Sequence, residues 1–121
     1  MSYHQDWLIR QIEAISAMLG FVLTGKKAST ITIEEVQLTH SGDNELYLQL
    51  QALIRQGQIC KAEDLLFEAM ESPDSAVLDA ATRFYDDLNR LSDETLRSAN
   101  FSREEIYEGL QEVCHVFGIP M

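Results

Sequence analysis

The chain has 121 residues, 45% hydrophobic and 24% charged, with 20 Asp and Glu against 9 Lys and Arg and a formal net charge of −11. That length lets one domain bury a core without cross-links, and the apolar share is that of an ordinary globular protein. The charge disfavours nucleic acid and anionic lipid, two partners that need clustered Lys and Arg. Residues 1–27 carry +1, whereas 28–57, 58–91 and 92–121 carry −3, −5 and −4, so the acidity belongs to the C-terminal two-thirds.

The first helix is expected over Tyr3 to Leu23, where Leu8, Ile12, Ile15, Leu19 and Val22 recur at helical steps. Trp7, Ile9, Met18, Phe21 and Leu23 widen the apolar arc to roughly 200°, about twice what one packed face needs. Gly25 is expected to stop this helix, with Lys26 and Lys27 beside its C-terminal carbonyls, where positive charge is favoured. Trp7, Met18 and Phe21 lie on the opposite edge of the arc from Ile9, Ile12 and Leu23. A helix packed on its own domain hides one group. Trp7, Met18 and Phe21 are therefore the candidate self-association face of a homodimer; the alternative is that residues 28–42 fold back over them.

Residues 28–42 read as a connector. Ser29-Thr30-Ile31-Thr32-Ile33 alternates as a short strand would, Thr32 and Glu35 sit at capping-box spacing, and an extended segment is expected. A second helix should run from Asp43 to Gln56 with Leu46, Leu50, Leu53 and Ile54 inward, and Gly57 as its C-terminal cap. A third, Lys61 to Glu71, should bury Ala62, Leu65, Leu66, Ala69 and Met70 and end at Ser72-Pro73-Asp74. The fourth, Ser75 to Leu91, carries Val77, Ala81, Phe84, Leu88 and Leu91 on one stripe.

After a helical turn around Ser92 to Leu96, Ser102 and Glu105 form a capping box, and Phe101 and Ile106 are spaced as a hydrophobic staple. Ile106, Leu110, Val113, Cys114 and Phe117 make the inner face of this last helix, closed by Gly118 and Pro120. Short links between long helices imply antiparallel neighbours. The fold class is therefore all-α: one domain, 1–121, with an N-terminal helix over 1–25 and an array of helical hairpins over 43–121, about five helices in all.

Within 46–73, Leu50 and Leu53 precede Gly57, and Ala62, Leu66 and Ala69 follow it before Pro73. Small residues allow close helix approach and the glycine a tight turn, so this stretch resembles a single tetratricopeptide-type hairpin, with an ordinary αα-hairpin as the plain alternative. Asp6 through Ile12, Gly25-Lys26-Lys27, Gly57 through Glu68, Asn100 through Ile106, and Glu108-Gly109-Leu110 form a set of motifs spread along the chain. In these the chain as a whole resembles a family of small helical proteins of unassigned function from low-GC Gram-positive bacteria. The resemblance implies a helical, repeat-like cytosolic fold and carries no catalytic residues.

The residue types that carry chemistry stand in structural patterns. His4, His40 and His115 form no H-x-x-x-H pair for a metal. Cys60 and Cys114 read as reduced, buried, small apolar side chains; a Cys60–His40 nucleophile and a single disulfide are the alternatives. The acidic pairs Glu63-Asp64, Asp86-Asp87, Asp93-Glu94 and Glu104-Glu105 read as solvated helix faces, and the scattered glycines offer no phosphate cradle. No cofactor or metal site is expected, and a nucleic-acid helix is ruled out by Glu104, Glu105, Glu108 and Glu112. The apolar run Ala14–Leu23 is shorter than the roughly 20 residues that cross a bilayer, and nothing resembles a signal peptide, so a cytosolic address is expected. The expected function is a non-enzymatic interaction or self-associating module. The rival is a small-molecule binder or enzyme using Tyr47, Tyr85, Tyr107 or His40 in a pocket between helices.

Overall fold

The sequence Ser75-Ala76-Val77-Leu78 onward combines a strong N-terminal signal with apolar residues on more than one side. Asp74 accepts a hydrogen bond from the Val77 N–H at 2.9 Å, satisfying one of the donors that a helix start leaves unpaired. Val77, Leu78, Ala80, Ala81, Phe84, Tyr85 and Leu88 are then all buried, which only a helix surrounded by others can achieve.

The computed structural model describes residues 2–28 and 44–119. Among them the elements are α1 (Ser2–Ala28), α2 (Glu45–Arg55), α3 (Ile59–Ala69), α4 (Ser75–Asn89), α5 (Asp93–Ser98) and α6 (Arg103–Val116). The fold is all-α, a helical bundle, and the described residues contain no strand. The helical turn expected around Ser92 to Leu96 is helix α5, one of six helices among the described residues. The connector assigned to 28–42 lies outside the described residues apart from Ala28, which ends α1.

Helix α4 is the centre. It packs against α1, α2, α3 and α6; α1 also packs on α6, and α2 on α3. The core gathers Ile12, Leu19, Leu50, Leu66, Phe84, Leu88, Ile106 and Leu110 from five helices. Truncating one such side chain to alanine costs roughly 2–5 kcal/mol.

Local signals place most boundaries. Gly57, at φ 73°, sends its N–H to the Ile54 carbonyl at 3.0 Å, and the Gln58 N–H reaches Leu53 at 2.9 Å. This paired closure of a helix end needs a left-handed residue. Asn100 (φ 61°) closes α5 in the same way onto Arg97 and Leu96. The capping box of α6 is formed in both directions, with Ser102 N–H on Glu105 Oε2 at 2.9 Å and Glu105 N–H on Ser102 Oγ at 3.2 Å. The staple residues Phe101 and Ile106 are buried.

Three expectations are corrected. Gly25 does not end α1, which continues to Ala28: a lone glycine costs a helix only about 1 kcal/mol, and Lys26, Lys27 and Ala28 are good helix formers. The fifth position of α1's buried stripe is Leu23, with Val22 half-buried beside it. Cys60 is exposed, not buried, because it sits about 100° around α3 from the buried line Ile59, Ala62, Leu66.

Candidate functional site

The self-association residues occupy α1. Leu8, Ile12, Ile15, Leu19 and Leu23 are buried on one side. On the opposite side Trp7 is 48% and Phe21 77% exposed, with Ala14 and Ala17 exposed between them. Trp7 leans edge-on over Tyr107 of α6, ring centroids 5.7 Å apart. Met18 is half-buried and packs against the core, so it borders this face rather than standing on it.

A second feature lies across the molecule. Helices α3 and α6 both flank α4 without the packing against each other that each makes with α4, and a cleft of about 600 Å³ separates them. Glu63, Phe67, Met70 and Glu71 come from α3 and the turn after it. Glu105, Glu108, Gly109, Glu112 and Val116 face them from α6.

Tyr85 lies behind the cleft lining on α4, completely buried, its hydroxyl donating to Glu63 Oε2 at 2.6 Å. Gly109 makes the reach feasible: a Cβ there would collide with the Tyr85 ring and hydroxyl. Burial holds the Tyr85 phenol well above its ordinary value, reinforced by the Glu63 charge and hydrogen bond and by Glu112. Glu63 is also raised, by burial first. The Tyr85 hydrogen bond opposes that rise, and the charges of Glu105, Asp64 and Glu108 add to it. Glu63 therefore departs from the solvated face expected of it, whereas its neighbour Asp64 is exposed.

The polar residues of the rival reading are not brought together. Tyr47 lies in the α2–α4 seam, where its hydroxyl donates to Asp87 Oδ2 at 2.6 Å and accepts from Gln51 at 3.0 Å. Burial first, then Asp87, pushes its phenol up to about 12. Tyr107 sits beside Trp7, Tyr85 is bonded to Glu63 of the cleft lining, and His40 lies outside the described residues. The Cys60–His40 pairing falls outside them too. Burial raises the Cys60 thiol, and the charges of Glu105, Glu63 and Asp64 add to this, opposite to what a thiolate nucleophile needs. No group of three or more His, Cys, Asp or Glu among the described residues could hold a metal ion, and none of the described helices is long and apolar enough to cross a membrane.

A family model, described as a family of unknown function (DUF6483), matches residues 2–118. The chain belongs to this family. No curated protein and no solved structure matches it.

Two buried polar residues escaped the sequence reading. Asp79 accepts from Asn44 Nδ2 at 3.1 Å and pairs with Arg83 at 3.3 Å. Arg103, 7% exposed, donates to Asp93 (3.1 Å), the Asn89 side chain (2.8 Å) and the carbonyls of Asn89 (2.9 Å) and Leu91 (2.7 Å). It ties the end of α4 to the start of α6. The spacing Asp79, Arg83, Asp87 at steps of four was the available signal for the first. For the second there was none, since its partners are mostly carbonyls.

Proposed function

We propose that this chain is a non-catalytic interaction module that pairs with a second copy of itself through the outward face of α1. The observation that carries this reading is Phe21, 77% exposed on the same helical line as Trp7, Ala14 and Ala17. Apolar surface gathered on one face is what interfaces use and monomers limit. Trp7 and Phe21 stand about 21 Å apart along the axis at 1.5 Å per residue. In an antiparallel two-fold pair, Phe21 of each copy lies opposite Trp7 of the other. The alanines between them let the backbones approach, and closed two-fold symmetry is the commonest arrangement of such self-complementary faces. Segment 1–27 carries +1 against −12 on the rest, so copies meet where repulsion is least. The α2–α3 hairpin stands in this reading as one tetratricopeptide-type unit of a cytosolic protein.

Light scattering at micromolar concentration should return twice the 13.7 kDa chain mass. Ala17→Glu with Phe21→Glu, both at exposed positions, should halve that mass while circular dichroism stays helical. A monomeric wild type overturns the reading. A second reading, binding of a small molecule, is favoured by the α3–α6 cleft alone, whose volume falls in the range of ligand sites.

A further inference from the structure

The cleft between α3 and α6 combines an apolar floor with acidic rims. Its floor is apolar: Phe67 is 37% exposed there, beside Met70, Gly109 and Val116. Its rims are acidic, and no described residue forms a salt bridge with Glu63, Glu71, Glu105, Glu108 or Glu112. Glu63 and Glu105 accept hydrogen bonds from Tyr85 and Ser102, which leave their charge in place. Burial raises Glu63, and the charges of Glu105, Asp64 and Glu108 add to that rise. Bringing like charges together around a concave apolar surface is unfavourable in the empty protein and becomes favourable when a cation with an apolar body fills it.

The shape selects among cations. One metal ion needs its ligands within a single coordination shell, and the described residues gather no such group. The carboxylates are instead spread along the walls. Glu108 and Glu112 are one helical turn apart, about 6 Å, and Glu63 to Glu71 spans about 12 Å. A linear aliphatic amine with ammonium groups separated by propyl and butyl segments matches the one-turn spacing, and its methylenes suit the floor. A folded partner would bury on the order of 800 Å² of each surface, more than one short cleft offers. We propose that this cleft is a binding site for a linear aliphatic polyamine, its ammonium groups held by Glu63, Glu108 and Glu112 and its methylenes by Phe67 and Val116. The proposal is independent of self-association through α1, which lies elsewhere on the molecule.

The probe is spermidine, added to the full chain at millimolar concentration and low salt. Ligand that binds only the folded state raises the melting temperature, here by about 3 °C or more. Sodium chloride or magnesium chloride at matched ionic strength should raise it less. In amide spectra, shifts should cluster at Glu63, Phe67, Gly109 and Glu112. Glu108→Gln with Glu112→Gln removes two charges whose side chains make no described hydrogen bond, so the variant should fold and lose at least about tenfold in spermidine affinity, or 1.4 kcal/mol. Magnesium reproducing the full shift overturns the proposal. So does unchanged affinity in the double variant, or amide shifts scattered over the whole acidic surface.

Discussion

Helix α4 has two flanks that treat charge in opposite ways. Toward α2, Asp79, Arg83 and Asp87 form a stripe in which every charge finds a partner. Arg83 pairs with Asp79 and lies 5.0 Å over the Tyr47 ring, and Asp87 takes the Tyr47 hydroxyl. Asn44 both caps α2 and donates to Asp79 and to the Ala76 carbonyl, so the seam closes. Toward α3 and α6, Tyr85 hydrogen-bonds across to Glu63, and the carboxylates that line the cleft there meet no described cation. The acidic excess is thus not a uniform coat. Where α4 meets α2 it is neutralised and structural; where α3 and α6 diverge it is left over, around a cleft. A surface charge that serves only solubility has no reason to gather in a concavity.

Breaking the matched side should cost most. Arg103→Ala removes donors from Asp93, Asn89 and Leu91 at the end of α4, with an expected loss of about 2–4 kcal/mol in urea denaturation. Arg103→Lys should recover little, because one ammonium cannot span acceptors arranged for a planar guanidinium. On the open side, Gly109→Ala drives a methyl into Tyr85, and overpacking of this kind costs about 1–3 kcal/mol even after the gain in helix propensity. In a double-mutant cycle with Tyr85→Leu the two losses should be less than additive, because the shorter side chain takes the ring as well as the hydroxyl out of the methyl's way. A neutral Gly109→Ala would mean that Tyr85 does not cross α6 there.

The legible parts of this fold are those set by neighbours in sequence. The Ser102–Glu105 box, the Gly57 reversal and the buried stripe of α6 all follow from spacings of three or four residues. Gly25 misled because a stop signal is a local penalty, and good helix formers beyond it outweigh one glycine. The cleft was illegible for a different reason. Glu63 and Glu108 are ordinary surface residues on their own helices, and only the way α4 holds both helices apart makes them neighbours. Gly109 offered a hint, since a glycine in a helix interior often marks a close approach, but its contact, Tyr85, lies 24 positions away. The outward face of α1 was legible at Trp7 and Phe21 and less so at Met18, which the core takes.

Asn44→Ala should cost about 1–2 kcal/mol, because this side chain caps α2 and also holds it to α4. Ser102→Ala removes a cap confined to its own turn and should cost about 1 kcal/mol. Equal losses would indicate that the tie from Asn44 to Asp79 adds nothing.

The smallest effect separates the two flanks by pH. Glu63 titrates above its ordinary range in the folded chain, chiefly through burial, with Glu105, Asp64 and Glu108 adding to the rise against the Tyr85 hydrogen bond. Between the unfolded value, about 4.3, and that raised folded value, the folded state binds more protons than the unfolded one. The stability contributed by protonated Glu63 is therefore fully present below the unfolded value and is lost as pH rises through the folded one. Glu63→Gln keeps an acceptor for the Tyr85 hydroxyl and removes the titration. Urea midpoints taken from pH 4 to pH 7 should fall less with rising pH in Glu63→Gln than in the wild type, and this difference should persist when both carry Glu108→Gln, because burial and not the Glu108 charge is the first cause of the rise. Parallel midpoint curves for wild type and Glu63→Gln would mean that Glu63 is solvated like any surface carboxylate, and the open flank of α4 would lose its distinction from the closed one.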